Sequence, residues 1–216
     1  IVGAGSGLSA SLARLFTRKG LQVALAARNV DKLNGLAGEI AAATFACDAR
    51  EPEEVAGLFD VVVATQGVPD IVVYNASARA RGATVDVTPA DVANAIAVSG
   101  YGGFLVAQQA ARAMLPRGSG SILLTGASAS VKGFAQSASF AMGKFALRGL
   151  AQSMARELGP QGIHVAHVVI DGGIRSATRA VPADAPDSLL DPVAIAETYI
   201  QLIRQPRSAW SMEVEL

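Results

Sequence analysis

The sequence predicts an α/β fold, a doubly wound parallel sheet held between two layers of helices in a three-layer αβα arrangement. Three observations predict it. Short unbroken apolar runs recur along the chain, longer segments with helical spacing lie between them, and the runs lack polar alternation. Parallel strands are joined by crossovers that lay helices on both faces, so each strand is buried on both sides and reads as a continuous apolar run.

The strand-like runs fall at residues 21–27, 44–47, 71–74, 121–125 and 163–170. Between them Leu8, Leu12, Leu15 and Phe16 share one helical face, as do Leu147, Leu150, Met154 and Leu158. Residues 58–66 contain Val61-Val62-Val63, which by β-propensity suggests a strand. Glu51-Pro52-Glu53-Glu54 just before has the marks of a helix start, and a crossover is needed before Ile71, so we read a helix there. A long helix is expected from about residue 89 to 114 despite Gly100, Gly102 and Gly103. Those glycines each weaken a helix by ~1 kcal/mol against Ala, so they mark a kink or the close approach of a ligand or another helix. Residues 175–191, with Pro182 and Pro186, read as a mobile loop over the site.

Composition bounds the function. Apolar residues make up 51% of the chain and charged residues 17%, with mean hydropathy +0.37. No apolar run approaches the ~18 residues that span a bilayer, so no membrane partner is expected. The 18 basic and 18 acidic residues cancel and form no basic stripe, which gives nucleic-acid binding little support. The length of 216 residues suits a single domain over residues 1–216. A single cysteine, Cys47, fits a reducing compartment, and with no signal or lipidation pattern visible the expectation is cytoplasmic. The chain begins with Ile1-Val2-Gly3, as though inside a strand, so the first strand is expected to be truncated.

Gly3-Ala4-Gly5-Ser6-Gly7-Leu8-Ser9 follows strand residues and opens the helix that carries Leu8 and Leu12. Glycines there let the backbone turn sharply and bring amides against a pyrophosphate, which the positive helix end also attracts. A plain tight turn is the competing reading, weakened by the run's place at the head of repeated βα units. Such a Rossmann-type unit binds a nicotinamide dinucleotide through Gly3, Gly5, Ser6, Gly7 and Leu8. The next strand ends in Ala26-Ala27-Arg28-Asn29, with no carboxylate before Asp31. An acid there holds the ribose 2′-hydroxyl, whereas Arg accommodates a 2′-phosphate, so NADP is favoured over NAD with Arg28 and Asn29 at the phosphate. A solvated loop-edge arginine is the alternative.

Taken together, Gly3-x3-Gly7-x-Ser9, Cys47-Asp48, Tyr74-Asn75-Ala76-Ser77 and Phe140-x3-Lys144 resemble the short-chain dehydrogenase/reductase family over essentially the whole chain. Ser9 stands where the family has a third glycine. The resemblance implies a sheet of about seven strands, the last within residues 209–216, and a homodimer or homotetramer built on helices near residues 89–114 and 136–158. It implies that Asp48 contacts adenine and that Asn75 and Ala76 flank the cofactor. The loop Ile170-Asp171-Gly172-Gly173-Ile174 replaces the family's Pro-Gly segment and implies Gly172 and Ile174 beside the nicotinamide.

The implied catalytic positions depart from the family. Phe140 stands at the Tyr position, Ala127 at the Ser position with Ser128 as its neighbour, and Ser99 at the Asn position; Lys144 matches outright. Phe has no proton to exchange, and positioned acid/base catalysis is worth ~10²–10⁴-fold. Lys144 is the best substitute donor, with Ser128 and Tyr101 weaker ones; a lysine that only binds ribose is equally open. Two functions follow. One is an NADP-dependent oxidoreductase acting on a small-molecule carbonyl or enoyl substrate with a non-standard proton donor. The other is a catalytically silent NADP-binding protein that serves as sensor or partner subunit.

No metal site is expected: His164 and His167 lie three apart on a strand and face opposite ways, as core or edge histidines do. Cys47 reads as a buried structural thiol, and Trp210 as a core or interface residue. Arg79 and Arg81 are either receptors for an anionic substrate or a solvated loop.

Overall fold

Among the described residues the apolar runs form β1 (Ala24–Ala27), β2 (Ala43–Ala46), β3 (Ile71–Tyr74), β4 (Gly120–Thr125), β5 (Ile163–Val169) and β6 (Glu213–Glu215). The structure is a computed structural model, and it describes residues 1–176 and 179–216. All pairs are parallel: β1 with β2, and β3, β4, β5 and β6 in chain order. Val2 joins the two groups by bridging Ala26 on one side and Tyr74 on the other. Its amide donates to the Val73 carbonyl at 2.9 Å, and its carbonyl accepts from Asn75 N–H at 2.8 Å. The spatial order is therefore β2, β1, Val2, β3, β4, β5, β6, a Rossmann-type arrangement of seven positions in which Val2 is the third, very short one.

Helices α1 (Leu8–Arg18), α2 (Asn34–Ile40), α3 (Pro52–Gln66), α4 (Pro89–Ile96), α5 (Gly102–Met114), α6 (Ala138–Leu158) and α7 (Pro192–Ile203) cover both faces. Side chains alternate across the sheet. Val72, Tyr74, Ile122 and Leu124 enter one core beside residues of α3, α5 and α6. Val73, Leu123, Ala166 and Val168 enter the other beside α1 and α7. The triple valine lies in α3, where Val55, Leu58 and Phe59 are buried and Val61 and Val63 face outward. Pro52 in the first turn, followed by Glu53 and Glu54, starts that helix, and the need for a crossover outweighs local β-propensity.

The long helix runs to Arg117, broken by a π-helical turn at Ala97–Tyr101. By length and composition alone Pro89–Arg117, 29 residues whose most apolar stretch has mean hydropathy 1.2, could cross a bilayer, although it contains no unbroken apolar run of that length. Half of its most apolar stretch is buried inside the fold, where Leu105, Val106, Ala110 and Met114 join the core. Its glycines serve close approach to neighbouring elements. A Cβ at Gly102 would stand 2.7 Å from the Ala49 carbonyl and 2.6 Å from Tyr74 Oη, and one at Gly103 would stand 2.4 Å from Leu147 Cδ1 of α6. Tyr74 Oη also donates to the Val98 carbonyl, which fastens the π turn to β3.

The described ends of the loop over 175–191 are fastened. Ile174 bridges Leu190, Ser176 bridges Arg179, and Arg175 pairs with Asp191 at 2.9 Å. Ala177 and Thr178 of this loop lie outside the described residues.

Gly102→Ala gains ~1 kcal/mol of helix propensity but forces a methyl onto backbone, and overpacking of that kind costs ~1–3 kcal/mol. Urea unfolding should show a net loss of stability. Gly149→Ala in exposed α6, where a Cβ meets nothing within 4 Å, should instead stabilise by ~0.5–1 kcal/mol.

Candidate active site

The sheet order reverses at Val2, because the chain passes from it to β1 on one side while β3 lies on the other. Open α/β sheets form their binding crevice beyond the strand ends at such a reversal. Gly3 leaves Val2 with φ +80°, and a Cβ on it would lie 2.3 Å from the Ala76 amide nitrogen, so only glycine fits. Ser9 Oγ donates to the Gly3 carbonyl at 3.2 Å and accepts from Asn75 Nδ2 at 2.7 Å. The hydroxyl thus ties the first turn to the end of β3. Its smallness suggested only packing; the hydrogen bonds become visible once Asn75 is placed beside it.

Helix α1 begins at Gly7 with no side-chain cap, so the amides that open it are left for an outside acceptor at the positive helix end. A Cβ on Gly5 or Gly7 would meet nothing within 4 Å and would project into open space, a cradle that side chains would fill. A cleft of about 290 Å³ opens there. It is lined by the sequence-predicted residues Gly7, Leu8, Asn75, Phe140, Lys144, Gly172 and Ile174, together with Thr125, Gly126, Ala127, Ile170 and Arg175.

Lys144 is its chemically distinctive group. The side chain is 3% exposed, and Nζ donates to the Thr125 carbonyl at 2.7 Å. Desolvation by burial lowers its pKa to about 8. Phe140, one helical turn earlier on α6, places its ring centroid 5.9 Å from Nζ. The cleft therefore offers an ammonium that exchanges its proton near neutral pH, beside an apolar ring.

Other candidates stand off the cleft. Ser99 is fully buried in the π turn, where its hydroxyl accepts from Ala78 N–H at 3.3 Å. The Ser128 hydroxyl, after the Lys132 ammonium, helps hold the Asp171 carboxyl below its usual range. Tyr101 is 46% exposed and stacks on Phe104 along the helix surface. Arg28 is exposed at the end of β1 and makes no hydrogen bond or ion pair among the described residues, while Asn29 Oδ1 accepts from Asp31 N–H at 3.0 Å. Asp48 binds the Arg50 guanidinium at 2.5 and 3.0 Å, and those hydrogen bonds hold its carboxyl low. Ser6 is exposed beside Gly5 in the first turn, and Ala76 backs Gly3.

The histidines are packing groups. His164 stacks on Trp210 at 4.7 Å and bonds the Ser211 carbonyl through Nε2, and His167 Nδ1 meets Glu213 at 3.0 Å. Burial lowers the pKa of both. Cys47 is buried, and desolvation followed by the charges of Glu54 and Asp48 pushes its thiol up to about 11. A second hollow, about 230 Å³, lies at the opposite end of the strands among Val2, Phe16, Phe59 and Val62 and holds no comparable chemistry.

Known proteins share this architecture and sequence. Residues 3–195 match a family model described as enoyl-(acyl carrier protein) reductase. An uncharacterized oxidoreductase of Staphylococcus aureus (strain N315) is 30% identical over 216 residues, covering 96% of this chain and 90% of that protein. The (21S)-21-acetoxyl-apo-melianone synthase of Melia azedarach is 32% identical over 76% of this chain, which spans 62% of that protein. A short-chain dehydrogenase structure from Rhodopseudomonas palustris superposes with TM-score 0.86 at 34% identity, covering 100% of this chain and 95% of the other. A metagenomic short-chain oxidoreductase in complex with NADP superposes with TM-score 0.86 at 26% identity, covering 100% and 94%. With the reversed strand order, the glycine turn and a lysine in the cleft behind these matches, the chain belongs to the short-chain dehydrogenase/reductase family of oxidoreductases.

Proposed function

We propose that the chain acts as a single domain over residues 1–216 that binds NADP(H) in the cleft and exchanges hydride with a carbonyl or enoyl substrate. The observation that carries this reading is Lys144, buried at the cleft with a pKa of about 8. When bound, NADP(H) supplies or accepts the hydride. Gly3, Gly5, Ser6, Gly7 and Leu8 present backbone to the pyrophosphate, and the empty cradle over Gly5 and Gly7 supports that role. Arg28, without an ion pair among the described residues, and Asn29 face the 2′-phosphate, and Asp48 the adenine. Asn75, Ala76, Gly172 and Ile174 flank the nicotinamide. The NADP bound to the metagenomic relative supports the cofactor choice.

Reduction leaves an alkoxide or enolate that needs a proton. In our reading Phe140 occupies the family's Tyr position and has none to give. Ser99 and Ser128 are engaged with Ala78 and Asp171, and Tyr101 lies on the outer surface. That leaves Lys144, which holds a proton on Nζ below about pH 8 and delivers it directly or through water. The apolar ring and engaged Ser128 favour a second reading, an NADP-binding subunit or sensor without turnover. Exposed Tyr101, Phe104, Met142 and Phe145, on the π turn, α5 and α6, support self-association as a homodimer or homotetramer.

Calorimetry should find NADPH bound more tightly than NADH. Arg28→Ala should weaken NADPH ~10–100-fold, as expected for losing a charge-assisted bond, while NADH changes less than about threefold. Equal affinities in the parent protein would contradict the 2′-phosphate role.

For the chemistry, reduction rates over carbonyl and enoyl substrates should fall as pH rises through about 8, where Lys144 loses its proton. Phe140→Tyr should raise carbonyl reduction by up to ~10²–10⁴-fold and move that pH limit upward, toward the tyrosine range. Tight NADPH binding with no turnover in either protein would select the silent reading.

A further inference from the structure

Arg79 and Arg179 stand beside residues that line or adjoin the cleft, Arg81 is near enough for its charge to act on Arg79, and among the described residues none of the three has an acidic partner. Arg79 places its guanidinium carbon 4.9 Å from the centroid of the Phe140 ring, whose centroid also lies 5.9 Å from Lys144 Nζ. Its Nη2 donates to Ser137 Oγ at 2.8 Å. Arg81 follows two residues on, and a Cβ on Gly173 would lie 3.1 Å from Arg179 Nη1, which sets Arg179 beside the cleft residues Gly172 and Ile174. What sets the three apart from other unpaired arginines is their closeness to one another and to the cleft.

The cluster is held in place. Ser139 Oγ donates to the Ala80 carbonyl at 2.8 Å and accepts from Ala80 N–H at 3.3 Å, while Gly82 N–H donates to the Gln136 carbonyl at 3.3 Å. Ser137 and Ser139 are both buried, so the segment carrying Arg79 and Arg81 is stapled to the start of α6, the helix that bears Phe140 and Lys144. Desolvation first, and then the charges of Arg81 and Arg179, hold Arg79 below the ordinary guanidinium range. Positive charge gathered in one place without compensation costs energy unless an anion visits it.

We propose that Arg79, assisted by Arg81 and Arg179, binds the carboxylate of the substrate, so that the preferred substrates are oxo acids or enoic acids and not neutral carbonyl compounds. The guanidinium fork matches a carboxylate, and Phe140 gives the carbon chain an apolar surface between the anchoring cation and Lys144. This assignment rests on the proposed function, since it names the substrate class of the same cleft.

The test is calorimetric binding of levulinate, its neutral methyl ester and dihydroxyacetone phosphate to the free protein and to the protein saturated with NADPH, at low ionic strength. Levulinate should bind at least about tenfold more tightly than the ester, the difference expected for one charge-assisted pair. Arg79→Gln should remove most of that preference while changing NADPH affinity less than about twofold. Arg81→Gln, an exposed change that leaves the fold intact, should reduce it about threefold. Equal binding of acid and ester, or an unaffected Arg79→Gln, overturns the proposal; so does a clear preference for the phosphate ester, which would assign the cluster to a phosphoryl group. Cofactor affinity is read separately, so a protein that binds levulinate but not NADPH defeats the proposed function and leaves the anion site standing.

Discussion

The close passage of backbone at Gly3 against Ala76 fixes the geometry of the cleft at its first turn. It places the first turn against the segment after β3, where Ser9 links the Gly3 carbonyl to Asn75. Because Val2 is hydrogen-bonded to Val73 and Asn75, and its neighbours Ile1 and Gly3 to Ala26 of β1, a shift at this point would displace strands on either side. The position of the α1 terminus follows from that seam, while Lys144 is set by its bond to Thr125 and Gly172 by the segment after β5. Side chains elsewhere in the cleft can vary in chemistry without disturbing it, since the seam is made of backbone, a serine and an asparagine.

The electrostatic design is one of separation by apolar surface. Lys144 sits in a dry position with its ammonium on a carbonyl, and Arg79 sits at the rim with a serine. The Phe140 ring stands near both cations, and each gains from its π face. A hydroxyl on the same ring would compete for those cations and for their solvation. In the proposed chemistry the phenyl group therefore exchanges a proton donor for a partition, and leaves Lys144 as the group whose ionisation changes near neutral pH.

Much of the fold was legible because strands buried on two faces cannot disguise themselves: the runs before Arg28, at Ile71 and around His164 all became strands within a few residues of their expected limits. Helix α3 was legible through Pro52 and its acids. The π turn was not, since it depends on Gly102 meeting Ala49 and on Tyr74 reaching Val98, contacts between segments far apart in the chain. In the site, the glycine turn was marked by its place between strand and helix, and Lys144, Phe140 and Asn75 by the family resemblance; the structure brings them to one cleft. The serines were the weak point. Ser99 and Ser128 were expected in the chemistry and have partners in Ala78 and Asp171, while Ser9, Ser137 and Ser139 do the positioning. A hydroxyl carries no directional signal in sequence, and its partners lie up to 66 residues away.

The single thiol has a use outside the chemistry. Cys47 is sealed in the core beside Asp48, with its thiol held at about 11, so an alkylating reagent finds neither a path to it nor a thiolate at neutral pH. Modification must wait for the β2–α3 corner to open. The molecule thus carries a one-atom clock for breathing of this corner, readable by mass spectrometry without adding any label site.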